Sequence, residues 1–342
     1  MPVTDVRGAL LVGSMPLPDS VAVFTFAAQH LGRHLKRIPD GETGSRINWT
    51  QWQVDVFAGV DALESEIFDA GYLRRPKFRL KPGKSAEDVV FPPLGYALAA
   101  RASYQKFKAL RRSGMIAAGT RFQVCLPTPV APVIILVFPE HQRVIEPRYE
   151  AAMLKELDEI VEHIPLDDLS IQWDTAIEFA VLEGVLPHSF DDPEPDLTTR
   201  LIRLGDSVPR GAELGFHLCY GDSGGRHFKE PADTSKLVAV ANRVLSGLTR
   251  QLDWLHLPVP KERADETYFA PLRKLNIKAQ TELYLGLVHM VDGISGTRAR
   301  IAVARNFAPR FGVATECGCG RLKPETLPEL MAIHAAVSSP IH

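Results

Sequence analysis

Two short segments carry residue types that bind metal. The first, Gly215-Phe216-His217-Leu218-Cys219-Tyr220, closes an apolar run over residues 212–216 that follows the turn signal Pro209-Arg210-Gly211. A strand repeats every two residues, so His217 and Cys219 point the same way at the strand's C-terminal end. The second, Thr315-Glu316-Cys317-Gly318-Cys319-Gly320, closes the apolar run over residues 311–314. One imidazole and two thiolates, from His217, Cys219 and Cys317, form a ligand set for Zn2+ with a fourth position open for catalysis. A lone His-x-Cys is more often a pair of core residues. A Cys-x-Cys at a second strand end of the same fold turns the balance toward a metal. Cys317 and Cys319 need not both bind. The fourth place could fall to Cys319, His256, water or substrate.

Three carboxylates form the next group. Asp40 and Glu42 flank Gly41 in a polar loop, and Asp174 closes the apolar run over residues 169–173. Brought together, they could bind an amine or serve as acid and base. Two other signals are set aside. Gly221-Asp222-Ser223-Gly224-Gly225 reads like the nucleophile segment of trypsin-like proteases, but those are double β-barrels and this chain lacks their histidine segment. Trp49, Trp52 and the basic stretch 77–84 could suggest nucleic acid, yet the aromatics are few and the formal net charge is -2.

Apolar runs at residues 9–13, 34–38, 122–126, 169–173, 212–216, 252–257, 283–288 and 311–314 read as eight short strands. Helical patterns alternate with them. Asp19-Ser20 caps one with Val21, Phe24, Ala27, Ala28 and Leu31 at helical spacing. Others are predicted over residues 94–112, 149–163, 197–204, 234–252 and 298–307, and after Pro324. Residues 75–93 form a basic, proline-punctuated excursion, and the stretch up to 138 is ambiguous between helix and strand. This alternation predicts an α/β fold, a single (β/α)8 TIM-type barrel over residues 1–342 with loop and helical excursions. Functional groups of such barrels gather at the strand C-terminal ends. Here those ends carry Ser14, Asp40, Glu42, Thr128, Asp174, His217, Cys219, His256, His289, Asp292, Cys317 and Cys319.

With 342 residues, 45% of them hydrophobic, the chain can bury a substantial core. Its near-neutral charge gives no footprint for nucleic acid or an anionic membrane. No apolar run approaches ~20 residues, so no span is expected. The N-terminus lacks the basic and apolar regions of a secretory signal. The four cysteines read as thiols, and a cytoplasmic location is expected.

The ordered set of motifs resembles the C-terminal catalytic barrel of cobalamin-independent methionine synthase, in the uroporphyrinogen decarboxylase/methionine synthase-like superfamily. Leu11-Val12-Gly13-Ser14-Met15-Pro16 looks like its Ile-Gly-Ser-Phe-Pro opening, and Asp40-Gly41-Glu42-Thr43-Gly44-Ser45-Arg46 like its His-Gly-Glu loop with the arginine that follows. Leu126-Pro127-Thr128-Pro129-Val130 resembles Leu-Thr-Gly-Pro-Val, and Ile171-Gln172-Trp173-Asp174 resembles Gln-Ile-Asp-Glu-Pro. His217-Leu218-Cys219-Tyr220 matches His-Met-Cys-Tyr, and Glu316-Cys317-Gly318 matches Asp-Cys-Gly. The resemblance implies zinc-dependent transfer of a methyl or alkyl group from a donor to a small thiol. His217, Cys219 and Cys317 carry over as zinc ligands, and Ser14, Glu42 and Asp174 as the amino-acid pocket.

The chain departs from that pattern in three places. The family's glutamate ligand after the sixth strand is replaced by His256-Leu257-Pro258. Its Asp-Ile-His-Ser, source of an acid histidine, is replaced by His289-Met290-Val291-Asp292-Gly293, which leaves His289 and Asp292 as the acid candidates. The duplicate N-terminal barrel used to handle folate is not in this sequence. A reaction other than folate-dependent methionine synthesis is therefore expected. The rival reading is a lyase, decarboxylase or hydrolase using Asp40, Glu42, Asp174 and His289 or Asp292. A non-catalytic metal carrier is a third.

Overall fold

A computed structural model describes residues 6–69, 74–221 and 226–341. Asp222, Ser223, Gly224 and Gly225 of the glycine-rich segment, and the first five residues read for a secretory signal, lie outside them. The first strand, β1 (Val6–Leu10), leads to α1 (Ser20–Leu31) and β2 (Arg37–Pro39). Then come α2 (Gln53–Ala58), the hairpin strands β3 (Leu63–Asp69) and β4 (Arg74–Leu80), α3 (Tyr96–Arg112) and β5 (Arg121–Pro127). Helices α4 (Val130–Leu136) and α5 (Pro139–His163) precede β6 (Leu169–Thr175), and α6 (Ile177–Leu182) and α7 (Pro193–Ser207) precede β7 (Glu213–Leu218). The chain continues through α8 (Ser235–Gly247), β8 (Trp254–Pro258), α9 (Glu266–Phe269), β9 (Glu282–Gly286), α10 (Gly293–Ala304), β10 (Phe311–Ala314) and α11 (Leu327–Val337).

Eight strands form one parallel sheet in the order β1-β10-β9-β8-β7-β6-β5-β2. One parallel bridge, Ala9 to Leu35, joins the two edges, so the sheet curls into the expected TIM-type barrel. Period-two alternation divides the apolar residues between two cores. Phe216, Trp173 and Leu255 face the helices in the large outer core. Leu10, Val12, Trp254, Tyr284 and Ala314 fill the barrel interior. Gly215 makes room for that filling, because a Cβ there would lie 1.9 Å from the Trp254 ring. Below this layer, buried Arg37 closes the N-terminal mouth, with Nε 2.8 Å from Glu213 and an Nη 3.1 Å from Glu282. The interior is thus charge-locked at the bottom, with the buried amides of Gln123 and Gln172 hydrogen-bonded to each other between that lock and the top.

The differences from the sequence reading have local causes. In α1 the Asp19 side chain accepts from the Ala22 N–H, as a cap should. However, Val23 takes the buried face and Val21 is exposed. The ambiguous stretch is α4, buried on every residue, so it shows no periodicity to read. Helix α5 starts ten residues before the expected 149 and carries Pro147 inside it. Residues 75–80 of the basic excursion belong to β4 of the antiparallel β3–β4 hairpin. There Lys77 sits over the Phe68 and Phe138 rings, and Arg79 pairs with Glu64 and Glu66. Among the described residues, no helix is long and apolar enough to cross a membrane.

Candidate metal centre and substrate pocket

The register of the sheet places the site. Asp174 on β6 is level with His217 on β7, which is level with His256 on β8. All three are buried. Cys219 follows β7, tied by its N–H to the Thr175 carbonyl at 2.9 Å. Cys317 lies three residues past β10, with its carbonyl accepting from Thr315 Oγ1 at 2.6 Å. A ring nitrogen of His217 and the Sγ atoms of Cys219 and Cys317 all lie within 4.8 Å of one another. Cys319 is buried, lies outside that group and lines a cavity beside Cys317.

The hydrogen bonds leave one lone pair for a metal. His217 Nδ1 lies 2.7 Å from His256 Nδ1, and His256 Nε2 lies 3.0 Å from the Thr315 carbonyl. Among the described residues His217 Nε2 is buried without a hydrogen-bond partner. A buried polar atom without a partner is costly and asks for a reason. Two sulfurs and a bare imidazole nitrogen are a donor set suited to zinc, so the residues present fit the metal that the resemblance implies.

The carboxyl groups lie beside this cluster. Asp174 accepts from the Gln172 amide at 2.6 Å and from Trp49 Nε1 at 3.3 Å. Burial pushes its carboxyl up to about 8, with the neighbouring Cys317 thiol adding to the rise. Glu42 is raised well above the carboxylate range by burial and then by Asp174. Its backbone is left-handed at φ 45. Asp40 is occupied otherwise. It accepts from Arg46 at 2.6 Å, from Ser103 at 2.9 Å and from the Glu42 N–H at 2.9 Å, so it fixes the loop that holds Glu42. Ser14 touches the Cys317 loop, where its Oγ accepts from the Gly320 N–H at 3.3 Å. A Cβ at Gly318 would lie 2.4 Å from that oxygen, so glycine permits the approach. Ser14, Glu42, Asp174, His217 and Cys317, from five strand ends, therefore meet at the barrel's C-terminal face.

A cavity of about 350 Å³ adjoins Cys317, lined in part by His227, His289 and Glu316. His289 Nε2 donates to the Val259 carbonyl at 2.9 Å, and its Nδ1 lies 3.6 Å from Glu316. Asp292 is held by buried Arg300 at 2.6 and 2.8 Å and does not line that cavity. Sequence reading missed Gln172, Trp49, His227 and the Glu316 carboxylate. Gln172 had a usable signal, since it lies two residues before Asp174 on one strand and must share its face. The Trp49 and His227 loops had none.

No protein-family model matches the sequence. No curated protein matches it either. Solved structures do match. A B12-independent methionine synthase from Shewanella sp. W3-18-1, in complex with selenomethionine, aligns over 97% of this chain and 96% of its own, with TM-score 0.57 and 15% identity. A methyltransferase from Methanosarcina mazei aligns over 98% and 95%, with TM-score 0.56 and 15% identity. This chain shares their fold. A putative vitamin-B12-independent methionine synthase from Listeria monocytogenes aligns over 94% and 87%, with TM-score 0.51 and 14% identity.

Proposed function

We propose that the protein is a zinc-dependent methyl (alkyl) transferase that activates a small thiol. The observation that carries this reading is the grouping of His217, Cys219 and Cys317 within 4.8 Å, with His217 Nε2 bare, next to a buried carboxyl pair. Zinc bound there supplies a soft Lewis acid that favours a substrate sulfur as thiolate at neutral pH. The chain's own residues do the rest. Glu42 and Asp174 bind the substrate ammonium, and ion pairing stabilises their charged forms against burial. Gln172 and Trp49 hold the Asp174 carboxylate in one orientation. Asp40 and Arg46 hold the Glu42 loop. The cavity beside Cys317 has room for a small methyl donor. The structures of like fold, a methionine synthase and a methyltransferase, support the reaction class.

The test uses calorimetry with a thiol amino acid of homocysteine size and with the same thiol lacking the amine. Wild-type protein binds both only when loaded with zinc. Glu42→Gln weakens the amino-bearing thiol at least about tenfold more than the other, since a buried charge pair loses one member. Equal losses remove Glu42 from the amine site. A second reading, a lyase or hydrolase, rests on the carboxyl of Asp174 being raised to about 8, as suits a general acid. Zinc-loaded protein that binds neither thiol favours it.

A further inference from the structure

The strand end where the resembled family places a carboxylate ligand carries His256, and nothing in the proposed reaction uses it. We propose that His256 is a positioning residue, not a ligand: it fixes the tautomer of His217 and leaves any metal with three protein ligands. This rests on the metal reading of the preceding section. The Thr315 carbonyl can only accept a hydrogen bond. His256 Nε2, 3.0 Å away, therefore carries the hydrogen. His256 is fully buried, and among the described residues its ring nitrogens meet His217 Nδ1 and the Thr315 carbonyl rather than a carboxylate, so the ring is neutral and has one hydrogen. Its Nδ1 is then a lone pair. At 2.7 Å that lone pair faces His217 Nδ1, which must donate. His217 is left with a bare Nε2, the form a metal ligand requires.

Both nitrogens of His256 are spent in this chain, so neither remains for a metal. The geometry is set by the sheet, because His217 and His256 are register partners on adjacent strands. The far end of the chain is Thr315, whose hydroxyl bonds the Cys317 carbonyl at 2.6 Å. One hydrogen-bonded line thus links the histidine ligand to the loop of the distant cysteine ligand. Among the described residues only His217, Cys219 and Cys317 gather within 4.8 Å, so the fourth position is left for water or substrate sulfur.

The test compares the full-length wild type with His256→Ala and His256→Gln. Zinc affinity is read by chelator competition, and the ligand set by the absorption spectrum of the cobalt-substituted protein. His256→Ala lowers zinc affinity about 10–100-fold while the two-sulfur, one-imidazole cobalt spectrum is kept, as for loss of an orienting partner. His256→Gln, whose amide can accept from Nδ1–H and donate to Thr315, restores most of the affinity. Nitrogen-15 NMR of metal-free wild type shows His217 protonated on Nδ1. Unchanged affinity in His256→Ala overturns the proposal, as does a wild-type spectrum with two imidazoles that falls to one in the variant. If wild type binds no zinc, the transferase reading fails, and the NMR alone decides the relay: Nδ1–H supports it and Nε2–H rejects it. Should His256→Ala not fold, the glutamine variant and the wild-type NMR still decide.

Discussion

Glu42 shows at single-residue scale what the site costs the fold. A non-glycine residue in the left-handed region costs about 1–2 kcal/mol, and here it also buries a carboxyl beside Asp174. Both acids have folded values above their unfolded ones. The folded state then holds protons that the unfolded chain has released, so stability falls as pH rises. For Asp174 the window runs from about 4 in the unfolded chain to about 8 in the folded one. Buried His217, His256, His289 and His334, all lowered, pull the other way over this range, so the acid pair is read as a difference: metal-free wild type should lose melting temperature relative to Glu42→Gln between pH 5 and pH 8. A variant as pH-sensitive as wild type would show that the pair does not strain the pocket. Gly215 gives a second residue-scale outcome. Gly215→Ala drives a Cβ into the Trp254 ring, and urea denaturation should show a loss of about 1–3 kcal/mol. A loss under about 0.5 kcal/mol, the ordinary surface value, would mean that the interior layer yields easily.

Among the elements, α3 is tied to its neighbours at both its start and its last turns. Glu156 of α5 accepts from the N–H groups of Leu94, Gly95 and Ala97, which caps the start of α3 from outside. At its other end Arg111 and Tyr104 both bond Asp168, just before β6. The Arg111 hydrogen bond holds the Asp168 carboxyl below its usual range. Its contribution is present above the unfolded value near 4 and is lost as pH falls through the folded one. Asp168→Asn should cost about 1–2 kcal/mol at pH 7 and progressively less as pH falls below about 4. A cost that does not change with pH would assign the loss to packing. Such ties were not legible in the sequence, because Glu156 and Asp168 read as ordinary charges of a helix and a turn. The eight barrel strands were legible as short apolar runs that lead into polar residues, whereas the charged hairpin strands β3 and β4 were not. Helix α4 was not, because it is apolar all round, and the start of α5 was hidden by Pro147.

At the scale of the molecule, the barrel converts eight separate strand ends into one face. That is why Ser14, Glu42, Asp174, His217 and Cys317 could be grouped from sequence: each ends a run, and the fold class says where ends go. The role of His256 could not be read that way. It depends on which strand lies next to β7 and in what register, and on the Thr315 carbonyl of a third strand. Asp40 looked like a substrate group beside Glu42, and only its three hydrogen bonds show that it serves the loop. We propose that His217, Cys219 and Cys317 hold one zinc whose open position takes a thiol. Zinc K-edge absorption on protein purified without chelator, before and after addition of the amino thiol, tests it most directly. About one zinc per chain with two sulfur ligands, rising to three when the thiol is added, is the expected result. A metal-free protein that cannot be reconstituted, or a sulfur count that the thiol leaves unchanged, would contradict it.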